Sequence, residues 1–547
     1  MNSTRARVLV ADNDPRAGRY LKEILETVGY QVKVAQGVGR RLVDDAVEIG
    51  LDFRPHVAIV DLRISGSPAV DTIRSDDYGG TELLRRLEEA RCILRSAFLT
   101  PEATRLALKE FGAFDVVGAE KSPRELLEAV RAATQEMCAP ARGFEIRWPA
   151  PWSAERVVEV LLGQETAVPP GVVEDVISRA FPGSESVKLQ KLEGAATTPG
   201  PVSRGRSVVL KAWLPNRIAP LVLKLATARN VVEESRNYYD YILGNIGGMF
   251  HARLEGEPIT FWDLGGILYS FVGEPRQSLS SFATFYRQHQ DPQFILPPLR
   301  HFFEKVWGDL YREVAGDRHL EGSGVARPLF QSYDKMLRLE ERLLSQPGRE
   351  EEMTFPGVDR PLPNPASWVL RHKDDSAIPC ARHAVTHGDL HGDNLFVDED
   401  HAWAIDFERA GPGHILRDFV ELEVDIVTRL VSLPGARDRL LQFYELVTIL
   451  AAPLEPSAPF RPTPRLLADP ETRKALGVTA ELRRLAHDVT RYTDAREYVW
   501  GLLLDALFVS TLVSEESPQR ERALLLAAVL CARLQSWGKQ WPPEDWR

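Results

Sequence analysis

The stretch Thr386–Asn394, THGDLHGDN, and the strand-like run Trp403–Glu408, WAIDFE, decide how this chain is read. An Asp on a tight loop can accept a hydroxyl proton, and an Asn five residues later can reach a magnesium ion. A second Asp ending an apolar strand can bridge that metal to nucleotide phosphates. Asp389, Asn394 and Asp406 stand at those positions. Phosphoryl transfer needs positioning and charge neutralisation more than covalent help, and magnesium takes hard oxygens together with phosphate and water. The pattern therefore predicts an ATP- and Mg2+-dependent phosphotransferase, with Asp389 as base and Asn394 and Asp406 on the metal. His387 is expected to order the loop by hydrogen bonding, and Gly388 to permit a backbone turn that a larger residue resists. His391 is either a substrate-side group or a surface residue. A polar loop before a buried strand would explain neither the H-G-D spacing nor the apolar run ending in Asp406.

From about residue 187 to about residue 430 the chain resembles an aminoglycoside or choline kinase type phosphotransferase, a relative of the protein kinases. In that family HGDLHxxN carries the base and one metal ligand, and IDFE the other ligand, which implies the same roles for Asp389, Asn394 and Asp406. Asp418, in GHILRDF, matches the family's Asp in a GxxxxDL pattern and is expected to pin the loop. The arrangement is also similar to the predicted phosphotransferases called ternary-complex-associated domains, found in bacterial multidomain signalling or conflict proteins.

A kinase-like region needs a nucleotide lobe upstream, with a lysine on a strand and a glutamate on the next helix. APLVLKLAT supplies Lys224 and VVEESRNYYDYIL supplies Glu234, with Glu233 as the competing partner. Lys224 would pair with the phosphates and Glu234 would orient it. Before that strand, VKLQKLEG and SVVLKAWL flank GAATTPGPVSRGR, where Gly194, Gly200 and Gly205 make either a loop covering phosphates or an ordinary flexible hairpin. In GGILYSFVGEP, backbone groups from Phe271 to Gly273 would edge an adenine pocket.

The N-terminus alternates apolar strands with amphipathic helices: RVLVADNDP, VAIVDLRI, RSAFLTP and FDVVGAEKSP, with helices near 16–28 and 80–90. That rhythm gives a doubly wound sheet whose functional groups gather at the carboxyl ends of the strands. Asp12, Asp61, Thr100 and Lys121 are expected there. Their order resembles the receiver domain of response regulators. The resemblance implies Asp61 as phosphoacceptor, Asp12 and Asn13 with Asp61 as the magnesium site, Thr100 as switch hydroxyl and Lys121 as phosphate-binding cation. Asn13 brings no charge where the family has an acid, with Asp14 near enough to compensate. The loop from Leu62 to Gly79 is also longer than the family's. A degenerate receiver that binds partners without receiving phosphate is therefore the alternative.

The expected fold class is an α/β doubly wound, flavodoxin-like receiver domain plus an α+β bilobal, protein-kinase-like phosphotransferase domain. Boundaries fall at 1–137 for the receiver, 138–186 for a folded helical connector, 187–275 for the nucleotide lobe and 276–547 for a helical lobe holding the catalytic loop. Val157, Val158, Val160, Leu161 and Leu162 give the connector apolar surface to bury, so it would couple the flanking domains rather than tether them. After Asp418 the acidic helix containing Glu421, Glu423 and Asp425 reads as a solvated face with one or two structural pairs. The apolar runs around Asp505 and Cys531 fall short of the roughly 18 uninterrupted apolar residues of a membrane span and read as a core hairpin of helices.

A length of 547 residues suggests several domains, and 44% hydrophobic residues can fill their cores. The net charge of −11, with no long basic run, argues against broad nucleic-acid affinity. The four cysteines show no metal spacing and read as reduced structural thiols. With no signal peptide before the first strand, a cytoplasmic location is expected. The partners implied are a sensor histidine kinase and a small-molecule or protein hydroxyl acceptor. Two other functions stay open: a nucleotide-binding scaffold without transfer, and phosphorelay through Asp61.

Overall fold

In the computed structural model, the described residues are 6–62, 64, 79–97, 101–135, 137–138, 143–163, 168–191, 207–247, 250–270, 279–312, 327–346, 348, 350–375, 379–433, 439–456, 458–512 and 517–543. Gly194, Gly200, Gly205, Thr100 and the segment from Phe271 to Gly273 lie outside them. The chain divides into two compact units. One comprises Met1–Lys191, Arg206–Val231 and Gly256–Leu268, and the other Leu192–Gly205, Val232–Glu255 and Tyr269–Arg547.

The first unit begins with β1 (Arg7–Ala11), α1 (Pro15–Thr27), β2 (Gln31–Val34), α2 (Arg40–Phe53) and β3 (Val57–Asp61). It continues with α3 (Gly79–Arg86), β4 (Arg91–Ser96), α4 (Pro101–Lys109), β5 (Asp115–Gly118) and α5 (Pro123–Thr134). The strands pair in parallel in the order 2-1-3-4-5. This is the doubly wound order of receiver domains. β1, RVLVA, is buried at every position because helices cover both faces of the sheet. Val8, Val10, Ile59 and Ile93 face Leu21 and Leu25 of α1 and Leu126 and Val130 of α5. Leu9, Ala58, Val60 and Leu94 belong to the core that also holds α2 and α3.

That second core does not stop at residue 137. It runs on through α6 (Ala154–Leu162) and α7 (Gly171–Ala180) into a six-stranded sheet. The sheet contains β6 (Glu145–Arg147), β7 (Ser186–Lys191), β8 (Val208–Trp213), β9 (Leu221–Thr227), β10 (Ile259–Phe261) and β11 (Leu264–Ser270). Its order is β10-β11-β9-β8-β7-β6. Residues 138–186, read as a helical connector, thus also give the sheet its edge strand, β6, parallel to β7. A buried polar cluster ties the pieces together. Arg7 reaches Asp175 at 3.1 Å, and the Arg7 amide donates to His56 Nδ1 at 2.9 Å. His56 Nε2 lies 2.6 Å from the same Asp175 oxygen. Trp262 Nε1 donates to the Pro55 carbonyl at 3.2 Å. These contacts sit at the entry end of β1 and β3, opposite Asp12 and Asp61.

His56, Cys138 and Asp175 could together face a metal ion. Their chemistry argues against it. Since Nδ1 accepts an amide proton, neutral His56 carries its own proton on Nε2, toward Asp175. No imidazole lone pair is left, and the Arg7 guanidinium repels a cation.

The second unit is mostly helical. It includes α9 (Phe282–Gln288), α10 (Leu329–Leu337), α11 (Arg417–Asp425), α12 (Pro470–Thr490), α13 (Ala495–Thr511) and α14 (Ser517–Gln535). α8 (Ala228–Asn237) leads into it. Fifteen of the seventeen residues of α13 are buried, Asp505 included, which makes it a core helix. No helix among the described residues is long and apolar enough to cross a membrane. Small β ribbons interrupt the helices where the sequence motifs fall: β12 (Ser280–Ser281), β13 (His383–Thr386), β14 (Leu395–Val397), β15 (Ala402–Ala404) and β16 (Gly411–His414).

Candidate functional site

β13 is buried along its whole length and pairs antiparallel with β16, so the loop 387–394 leaves a fixed strand end. The hairpin of β14 and β15 pairs Leu395 with Ala404. One residue further, the Ile405 amide donates to the Asn394 carbonyl at 3.1 Å. The two sequence motifs therefore meet side by side. Gly388 has φ +76°, and a Cβ there would fall 2.3 Å from the Arg409 carbonyl, so the loop turn requires glycine. Asp406 holds φ +69°, a conformation uncommon for a side-chain-bearing residue and concentrated at functional sites.

Asn394 Nδ2 donates to the Asp389 carbonyl at 2.9 Å, leaving its Oδ1 as the atom with which it would reach a cation. His387 is buried. Its ring bonds the Ile405 carbonyl at 2.9 Å and packs between Trp307 and Phe407, which makes it the loop-ordering residue that the sequence suggests. His391 is buried too, with Nδ1 accepting the Asp393 amide and Nε2 4.0 Å from Asp389. It is not a surface residue. Beside the base candidate stands a cation that sequence reasoning did not single out: Arg409 Nη1 donates to Asp389 Oδ1 at 3.2 Å.

The acidic helix α11 overturns the expectation of a solvated face. Glu421, Glu423 and Asp425 are buried with Asp418. Residues 418, 421 and 425 share one helix face, and that face holds the catalytic loop by its amides. Asp418 accepts from His387 N and Gly388 N, both at 2.9 Å, and from the Tyr311 hydroxyl at 2.6 Å. Glu421 accepts from Leu390 N and Asp425 from Gly392 N, each at 2.8 Å. Burying these amides without acceptors would cost about 1–3 kcal/mol each.

Cations offset the buried acids. Arg417 pairs with Glu421 at 2.7 Å and donates to the Gly388 carbonyl at 2.8 Å. Arg429 joins Asp425 and Asp393. Glu423 faces away, to Arg483 and Tyr498. Burial, with the Glu421 charge, raises the Asp418 carboxyl above its usual range. Burial alone would do the same to Asp425, but the Arg429 guanidinium overrides it and holds that carboxyl far below the usual range.

Glu234 is fully buried in the second unit. It takes the Tyr269 hydroxyl and, at 3.3 Å, the amide of Phe407 next to Asp406. The helix glutamate thus anchors the motif carrying Asp406. Burial, reinforced by the Glu234 charge, pushes the Tyr269 phenol well up. Lys224 lies in the first unit, in β9 opposite Val209, and is only 3% exposed, which excludes a snorkelling surface lysine.

In the receiver-like domain, Asp12 and Asp61 end β1 and β3 as expected. β4, however, stops at Ser96, short of Thr100. The register pairs Asp61 with Arg95, so the buried hydroxyl next to that level is Ser96. Lys121 is half exposed and pairs with Glu125 at 3.3 Å. Asp14 cannot compensate for Asn13, because its carboxylate caps α1 through Arg16 N at 2.9 Å. Arg95 is the residue the sequence reading missed. An arginine in an apolar strand gives no pattern signal, and only the register brings it here.

Residues 331–509 match the family described as Ternary complex associated domain 9. The match lies within the second unit and includes the catalytic loop, the Asp406 motif and α11. No curated protein matches the chain. Among solved structures, a CheY-like response regulator receiver domain protein from Methanospirillum hungatei is 23% identical over 24% of this chain and 96% of its own, with a TM-score of 0.20. The receiver domain of Francisella response regulator 1452 gives 24% identity over 24% and 98%, at 0.20. Vibrio cholerae CheY4 gives 19% over 24% and 99%, at 0.19. The receiver fold itself rests on the strand order. The chain thus joins a sheet with the strand order of the receiver fold to a region that matches a ternary-complex-associated domain family.

Proposed function

We propose that the ternary-complex-associated region transfers the γ-phosphoryl group of ATP, with magnesium, to a hydroxyl acceptor, and that the receiver domain regulates it. The observation carrying this reading is the convergence of Asp389, Asn394 and Asp406 on one loop and hairpin, with Asp406 held at positive φ. Asn394 and Asp406 offer the hard oxygens that magnesium takes, and the bound ion would neutralise phosphate charge. Asp389 would accept the acceptor's proton. Lys224 would pair with nucleotide phosphates, and Glu234 would hold the segment carrying Asp406 through the Phe407 amide. Arg409, beside Asp389, would face the charge that develops on the transferred group. A sensor histidine kinase is the partner a receiver implies, and the acceptor is a small molecule or a protein rather than nucleic acid.

Labelled ATP offered with a panel of alcohols and protein extracts tests the proposal. The wild type is expected to label an acceptor, and Asp389→Ala to slow this about 10²- to 10⁴-fold. Equal ATP consumption by the two would remove the support for catalysis. The Arg409–Asp389 pair favours a second reading, a nucleotide-holding scaffold whose base is neutralised by its neighbour. Nucleotide binding that depends on Asp406, with no phosphorylated product, would favour that scaffold.

A further inference from the structure

A receiver fold implies a divalent ion held by Asp12, Asn13 and Asp61, and the residues around Asp12 do not fit one. We infer that Arg95 is the resident cation of this pocket, standing where the metal would be needed, and that the domain works without metal-dependent phosphorylation of Asp61.

Both oxygens of the Asp12 carboxylate already have protein partners. Oδ1 accepts the Asp14 amide at 2.9 Å, and Oδ2 faces Arg95 Nη1 at 3.4 Å. The same guanidinium donates through Nη2 to the Ala119 carbonyl at 3.3 Å, so it bridges the ends of β1 and β5 from its place on β4. The pairing of β3 with β4 sets Arg95 level with Asp61. With side-chain exposures of 18% and 10%, the Arg95–Asp12 pair is screened far less than a surface pair.

Among the described residues, Asn13 offers the pocket only a neutral oxygen, Oδ1, where the family has an acid. Asp14 is committed to the cap of α1. Magnesium gives up its water reluctantly and is held by carboxylates in near-octahedral geometry. Here the Asp12 carboxylate already faces a guanidinium, and a second cation would meet that guanidinium at close range. The inference leaves the phosphoryl transfer proposed for the other unit standing, and it replaces phosphate receipt from a histidine kinase as the way the receiver domain acts.

The test uses the full chain without nucleotide and carrying Asp406→Asn, so that the kinase-like metal position is removed from the count. Mn2+ binding is read by electron paramagnetic resonance. No Asp12-dependent ion is expected with Arg95 present. Arg95→Ala should gain one Mn2+ per chain, and adding Asp12→Asn should remove it again. In parallel, the wild type with Mg2+ and acetyl phosphate should show no acid-labile phosphoryl group on Asp61 by mass spectrometry.

An Mn2+ ion on the Arg95-containing protein that Asp12→Asn releases, or Mg2+-dependent phosphorylation of Asp61, would overturn the inference. So would an Arg95→Ala protein with an unchanged circular dichroism spectrum and no gained ion, because it would show that Arg95 is not what excludes the metal.

Discussion

At the 387–394 loop, the carboxylates of Asp418, Glu421 and Asp425 are directed at backbone amides, and separate arginines balance Glu421 and Asp425. In the receiver pocket the carboxylate of Asp12 meets Arg95 itself. Both regions place aspartates at strand ends, and both resemble phosphoryl-handling families. Their surroundings separate them. In the first, supporting charge fixes the loop beside the segment that carries Asp406. In the second, supporting charge neutralises a residue that a metal would need. An acid motif therefore tells little until the nearest cation is known, and that cation can come from a strand with no motif at all.

The largest effect should follow from Glu421→Ala. It strands the Arg417 guanidinium and the Leu390 amide in the interior, and breaking such a pair costs about 3–5 kcal/mol. Displacing the loop would also slow turnover about 10²-fold. Urea unfolding and ATP turnover read the two effects, and an unchanged midpoint would break the contrast between the regions. Asp12→Ala should cost less, about 1–3 kcal/mol, because it leaves a partly buried guanidinium and the Asp14 amide unsatisfied. If it costs nothing, the Arg95 pair holds no stability.

Acid titration sharpens the catalytic side. The folded Asp425 carboxyl lies below its unfolded value, so its stabilisation is complete above about pH 4 and is lost as pH falls below that. Asp425→Asn should flatten the acid limb of the stability profile, and parallel profiles would contradict this. The smallest change is expected from Lys121→Ala, whose exposed pair with Glu125 is worth under about 1 kcal/mol. A larger loss would return Lys121 to the pocket.

The sequence made the two folds legible because their signals are local. Alternating apolar strands and helices mark the receiver, and fixed spacing marks the loop, with Gly388 and His387 in the roles it suggests. The failures came where partners are distant in sequence. Glu421 and Asp425 look like a wet helix face until the loop packs on them, and Arg95 gains meaning only through its register with Asp61. The apolar residues 157–162 pointed to a connector that couples its flanks, and they do lie in the shared core of residues 9–264, but no periodicity reports which elements meet there.

The most direct test of the central claim separates binding from chemistry at the loop. Mg2+-dependent ATP affinity and ATP turnover should be measured together for the wild type, Asp389→Ala and Asp406→Asn. The account predicts that Asp389→Ala binds Mg2+-ATP as the wild type does while its turnover collapses, and that Asp406→Asn loses the metal-dependent part of binding. Turnover that survives in Asp389→Ala, or Mg2+-ATP binding indifferent to Asp406, would contradict it.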